Sequence, residues 1–228
     1  MFSRHNLTVD GFNWERVATH NNQMTLVLCV LFLLLALIVV SSRRKLSLIL
    51  TSLFLQRHFS LIQREGKMLK ENTALAVLFF DILAISASIV QFSSIYIPNF
   101  LPKVPLWGRT GIFFATLLLA FLLKTLLYQL YSFLFDRKKE NVLLSQYKFM
   151  FVTDVAFIAF PFTIVIEYTG LNFLFYVMTG ALAVLFGTWV YRLAKINLSN
   201  GNKFHFFLYF CALEILPWLI LVKFMLKF

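Results

Sequence analysis

Four ionisable side chains stand inside otherwise apolar runs of this sequence: Asp81, Lys124, Asp154 and Glu214. An ionised group at the centre of a membrane helix costs roughly 2.5–3.5 kcal/mol on insertion scales, so such groups face a protein interior or a water-filled cavity. Three carboxyl groups and one ammonium at comparable depths predict a common polar centre, with Lys124 paired to one acid among Asp81, Asp154 and Glu214. Acids outnumber the cation, so at least one carboxyl must be protonated, hydrogen-bonded to a neutral donor or wetted. That surplus is the pattern of a proton-coupled or cation-binding site. A buried ion pair with hydrogen-bonded acids can equally serve only to fix which helices are neighbours, and the residues alone leave both readings open. Glu167 lies closer to the outer end of its run, within reach of water.

Two prolines fall inside the same runs. Pro161 and Pro217 each remove an intrahelical hydrogen bond and free a carbonyl one turn earlier, for Pro217 at Leu213 beside Glu214. A freed carbonyl next to a carboxylate is a possible cation or proton site. Kinks without such a role are common in membrane helices. Gly180, Ala183 and Gly187 share one face of their run, a small-residue surface suited to close packing within the bundle, with self-association as the alternative. Lys203 and His205, at the inner edge of the last run, suit an interfacial position.

The elements that must position these residues are set by composition. Of the 228 residues 60% are hydrophobic and 14% charged, against roughly 45–50% and about 25% in soluble domains. Apolar runs near the roughly 20 residues that cross a hydrocarbon core predict an all-α, polytopic bundle in a single integral membrane domain, since only helices or closed barrels satisfy the backbone in lipid. Six spans are expected, at about 24–42, 73–93, 111–133, 149–168, 172–191 and 204–225. The segment 46–69 has an apolar opening too short to cross and polar residues beyond it, the pattern of a cytoplasmic interfacial helix or a plain helical linker.

Lys and Arg are unevenly shared among the connections. Fourteen lie in 43–72, 134–148 and 192–203, and six in the N-terminal segment, the loop 94–110 and the C-terminal end. The positive-inside asymmetry places the first group in the cytoplasm and both termini outside, and it accounts for the formal charge of +11 without nucleic acid as a partner. The outer loop, with Pro98, Pro102 and Pro105 between Tyr96 and Trp107, reads as a stiff interfacial rim. The first 23 residues carry Arg4, Asp10, Glu15 and Arg16 ahead of the apolar run, which is not the order of a cleavable signal peptide. Cys29 and Cys211 each sit in an apolar run as small hydrophobes, and no disulfide or metal spacing follows.

Several chemistries lack their residues: no phosphate-binding glycine loop, no HExxH pair, no GxSxG elbow and no paired acidic cluster for magnesium occur. No cofactor is expected, and an enzymatic role has no visible constellation. The C-terminal run FHFFLYFCALEILPWLILVKF, with Glu214 and Pro217 in Leu-Glu-Ile-Leu-Pro, resembles a family of bacterial inner-membrane proteins known only as a domain of unknown function. Asp81 and Lys124 are compatible with that resemblance, which implies a Gram-negative inner membrane and no established activity. Three functional expectations follow: a non-enzymatic component of a membrane assembly in envelope biogenesis or export, partnered by another membrane protein; a small ion-coupled permease lined by the four ionisable groups; and, last, a lipid-modifying enzyme.

Overall fold

The computed structural model describes residues 22–52, 72–97, 104–135 and 138–199, which form five long helices. They are α1 (Asn22–Ser52), α2 (Asn72–Tyr96), α3 (Leu106–Phe135), α4 (Lys138–Thr169) and α5 (Leu174–Ser199). Each contains a stretch long and apolar enough to cross a membrane: Gln23–Ser41, Ala74–Tyr96, Leu106–Leu127, Ser145–Thr169 and Leu174–Arg192. The expected sixth run, 204–225, lies outside the described residues. So does most of the expected interfacial helix. Its opening residues are helical but continue α1 without a break through Arg43 and Leu46 to Ser52, where a stop at Ser42 was anticipated.

Contacts at the helix ends give the arrangement. The Leu106 amide at the start of α3 donates to Gln23 Oε1 at the start of α1, 2.8 Å away, so those two helices begin at the same end. Tyr96, closing α2, meets Phe175 and Tyr176, opening α5, with ring centroids 6.0 and 6.5 Å apart. Gly170, with φ of 68°, ends α4 in the left-handed conformation that glycine adopts without a Cβ penalty, and its amide donates to Ile166 O. α1, α3 and α5 therefore run one way, and α2 and α4 run the other. On the expectation from the distribution of Lys and Arg, the end holding Gln23, Tyr96 and Gly170 is called the outer one.

α2 is the central helix. It packs most extensively on α4 and also against α3 and α1, while α5 leans on α4. The α2–α4 interface has a seven-residue rhythm on both sides: Asp81, Ala84, Ser88 and Gln91 on α2 are all buried, as are Phe149, Thr153, Ala156, Phe160 and Thr163 on α4. Alternating steps of three and four are the spacing of a left-handed helix pair. Alanines at 84, 87 and 156 let the two backbones approach closely, as small residues do in lipid. Phe80 lies against Phe157 and Phe160, with centroids 5.4 and 5.6 Å apart, and Phe32 of α1 meets Phe160 edge-on at 5.1 Å.

The outward faces of α3 and α5 are apolar and exposed, among them Leu119, Leu122, Leu126, Val184 and Phe186, as lipid-facing surfaces should be. Gly180, Ala183 and Gly187 lie on such a face of α5, and at Gly180 and Gly187 no described heavy atom stands within 4 Å of an added Cβ. Met178 and Leu185, on the buried side of α5, point the other way.

Alanine at position 84 should therefore be intolerant of bulk. Ala84→Leu is expected to destabilise the bundle by about 1–3 kcal/mol, the usual cost of overpacking, whereas Leu119→Ala on the lipid face should change little. Retention of the folded, monodisperse species during a detergent heating series compares the two.

Candidate functional site

Polar side chains buried in lipid have two ways to be satisfied, and this bundle uses both. Most hydroxyls turn back on their own helix: Ser86 donates to Leu83 O, Ser93 to Val90 O, Thr110 to Leu106 O and Thr125 to Phe121 O. Such local bonds satisfy the hydroxyl but say nothing to a neighbouring helix. A carboxyl or a carboxamide is too large and too polar for that solution, and these groups define the site.

Asp81 is wholly buried, 0% exposed, one third of the way along α2's apolar stretch. Its Oδ2 accepts from Thr153 Oγ1 of α4 at 2.7 Å, and Thr153 Oγ1 also lies 3.1 Å from Phe149 O. Asp81 Oδ1 is buried and makes no hydrogen bond. Asp154, next to Thr153 on the adjoining face, is also buried, and its carboxyl acts electrostatically on Asp81. The Arg192 guanidinium, half-buried at the inner end of α5's apolar stretch, acts on Asp154 and on Tyr147. Its long stem lets the charged head work at a depth its backbone does not reach. Phe151 of α4 and Trp189 of α5 stack beside this corner with centroids 4.9 Å apart, and the buried Trp189 Nε1 makes no hydrogen bond.

Further out, the same α2–α4 seam carries two more polar rungs. Ser88 Oγ and Thr163 Oγ1 share a hydrogen bond of 2.7 Å. Gln91 Nε2 donates both to Thr163 O at 3.1 Å and to Glu167 Oε2 at 2.9 Å. The rungs Asp81–Thr153, Ser88–Thr163 and Gln91–Glu167 climb in the same direction on both helices, which is the parallel pairing that α3's return crossing makes possible. Seven residues on α2 and ten on α4, about 10 and 15 Å of helix, separate the first rung from the second, and Ala84, Ala156 and Phe160 pack between them. The seam is therefore two sites: a hydroxyl–amide clasp near the outer surface, and an acid pair with a cation near the inner one.

The residues named from sequence separate accordingly. Asp81 and Asp154 come together. Lys124 lies half-buried on α3, in the inner half of its run, near the end of the apolar stretch Leu106–Leu127. The cation that acts on Asp154 is Arg192, which the sequence pattern assigned to the cytoplasmic connection. Its position ten or so residues inward of the small-residue face, level with the inner third of α4 where Asp154 lies, was the available signal. Thr153 and the Ser88, Gln91 and Thr163 clasp were missed because their residue types carry no charge. Their signal was spacing, since Asp81, Ser88 and Gln91 recur on one face of a helix otherwise rich in Ala, Ile and Leu. Pro161 is on the exposed side of α4, within an unbroken helix, away from the acids. Glu214 and Pro217 lie outside the described residues. Among the described residues, no three His, Cys, Asp or Glu side chains gather in a way that could hold a metal ion.

The outer clasp should be measurable as coupling. In a double-mutant cycle of Ser88→Ala and Thr163→Val, read as unfolding free energy in mixed micelles, the expected interaction is about 0.6 kcal/mol and below about 1.7 kcal/mol, the range for hydrogen bonds between membrane helices. A coupling of zero would remove the clasp from the forces that hold α2 to α4.

Compared with known proteins, residues 24–225 match a family described as a domain of unknown function, DUF4271. Neither the curated proteins nor the solved structures contain a match.

Proposed function

We propose that this chain, which belongs to the DUF4271 family, is a small, non-enzymatic, ion-coupled translocator of a bacterial inner membrane, with Asp81 and Asp154 as its ion-handling pair. The observation that carries this reading is Asp81 Oδ1: a fully buried carboxyl oxygen with no hydrogen bond, beside a second buried acid. A carboxyl kept only to hold helices together would be expected to use both oxygens, because an unsatisfied buried polar atom costs about 1–3 kcal/mol. An oxygen left open where hydrocarbon surrounds the protein is a place for something that comes and goes. The half-buried Arg192 supports the same reading by setting a counter-charge between the acids and the inner surface.

A second reading is favoured by a different observation. The apolar faces of α3 and α5 are exposed along most of their length, and a subunit of a larger membrane assembly, in envelope biogenesis or export, would cover one of them with a partner span. In that case the acid pair drives or senses the partner and no solute passes through this chain.

Purified protein in proteoliposomes separates the two. Under an imposed pH or sodium gradient, the wild type should dissipate the gradient faster than empty vesicles, and Asp81→Asn, which keeps the group's shape and its bond to Thr153, should abolish the difference while leaving the protein folded. Absence of flux from wild type, together with a stoichiometric partner in a mild-detergent purification, would replace the translocator by the assembly subunit.

A further inference from the structure

Building on the reading of Asp81 as an ion-handling acid, we infer that the ion is a proton held on Asp81 Oδ2, and that Thr153 is the residue that positions it, accepting the acid's hydrogen on Oγ1 and passing its own to Phe149 O.

Three oxygens at this rung share too few hydrogens unless Asp81 supplies one. Thr153 Oγ1 lies 2.7 Å from Asp81 Oδ2 and 3.1 Å from Phe149 O. Both are hydrogen-bonding distances between oxygens, and each contact calls for a hydrogen. The hydroxyl has one to give and the Phe149 carbonyl has none, so the second comes from Asp81, and only from a neutral carboxyl. The set of the hydroxyl agrees. Thr110, Thr116, Thr125, Thr163 and Thr169 each donate to the carbonyl four residues earlier, at 2.6 to 3.0 Å, the ordinary bond of a threonine inside a helix. Thr153 makes the same contact with Phe149 O. With its hydrogen spent there, Oγ1 turns a lone pair toward Asp81 Oδ2.

The open oxygen says which end of the carboxyl holds the proton. On Oδ1 the acid's O–H would have no acceptor, because Oδ1 makes no hydrogen bond. On Oδ2 every hydrogen has one, and the group left bare is a carbonyl oxygen. An ionised Asp81 would instead leave Oδ1 bare with a share of a full charge at a residue 0% exposed, which costs more than an unpaired neutral oxygen. The four carboxyl oxygens of Asp81 and Asp154 could contribute to the shell of a sodium ion, but sodium keeps Asp81 ionised and the rung one hydrogen short. In the inner half of the bundle, the described ionisable side chains on the helices packed against α2 are Arg43 on α1, Lys124 on α3, and Tyr147, Lys148 and Asp154 on α4. Of these, Asp154 is the one that acts electrostatically on Asp81. When Asp81 gives its proton to water, the bonding pair stays on Oδ2 and the Thr153 hydrogen turns from Phe149 O to that oxygen. Thr153 therefore offers Asp81 a bond in both states, as acceptor to the neutral acid and as donor to the ionised one.

Infrared absorption of the full chain in liposomes tests this, because a neutral carboxyl has a carbonyl band that a carboxylate lacks, and the band lies lower when the acid's O–H has an acceptor. The wild type at neutral pH should show a carboxylic acid band that moves when the aspartate carboxyls carry heavy carbon and that is missing from Asp81→Asn. Sodium at constant pH should leave it in place. In Thr153→Val, which keeps the shape and removes the hydroxyl, the band should rise in frequency as the acid loses its acceptor, and Thr153→Ser should bring it back. No aspartate acid band in the wild type, or its loss on adding sodium, would overturn the proton. A band unmoved by Thr153→Val would overturn the role of Thr153, since a threonine kept only for packing leaves the acid's spectrum alone. Asp81→Asn and Thr153→Val each identify the band independently, so the test stays decisive if one of them misfolds. Gradient dissipation in proteoliposomes is read separately: a wild type with the expected band and shift but no flux would remove the translocator and keep the hydrogen between Asp81 and Thr153.

Discussion

Hydrocarbon offers a buried carboxyl no solvent, and that constraint organises everything described above. Asp81 cannot turn back on its own helix as a serine does, so α2 must find a hydroxyl on a neighbour, and Thr153 of α4 supplies it at 2.7 Å. Once that contact is made, the small and polar side chains further along the same two faces bring Ser88 to Thr163 and Gln91 to Glu167. A slip of one residue would rotate Asp81 by about 100° out of the interface. The polar rungs thus specify register, while the alanines and phenylalanines between them supply contact area.

The same constraint divides labour along the seam. Near the outer end, two hydroxyls, an amide and the Glu167 carboxyl meet one another, and the link from α4 to α5 is a short glycine-initiated turn under a cap of Phe92, Tyr96, Phe175 and Tyr176. At the other end stand two buried acids, one with an oxygen that makes no hydrogen bond, and Arg192 closes the apolar stretch of α5. Each end of the seam leaves one buried oxygen without a hydrogen bond, Gln91 Oε1 in the clasp and Asp81 Oδ1 beside the acids.

Much of this architecture was legible in the sequence, for reasons that differ by residue. The membrane helices follow from uninterrupted apolar runs, because hydrocarbon thickness dictates run length almost regardless of fold. Asp81 and Asp154 were visible as two of the four ionisable groups expected to share a polar centre, because charge in such a run is costly whatever surrounds it. Their actual partner was not, since which helix faces which is decided by packing, and packing is carried here by alanines and threonines whose types carry no label. The depth of Lys124 was legible only as the middle or inner half of its run: the apolar stretch of α3 starts at Leu106, behind Pro105, several residues earlier than the charge at Arg109 suggested, and that sets the residue near the stretch's inner edge.

The parallel pairing of α2 with α4 also bears on how the chain is made. Partners in the first rung are 72 residues apart, and at a synthesis rate of about 5–20 residues per second Asp81 leaves the ribosome some 4 to 14 seconds ahead of Thr153. During that interval the aspartate has to wait beside the insertion machinery or enter the lipid alone, and α3 must be laid down before its partner arrives. Biogenesis of this small protein is therefore a problem of timing as well as of hydropathy: its central helix becomes fully at home in the membrane only when a helix made two crossings later comes to meet it.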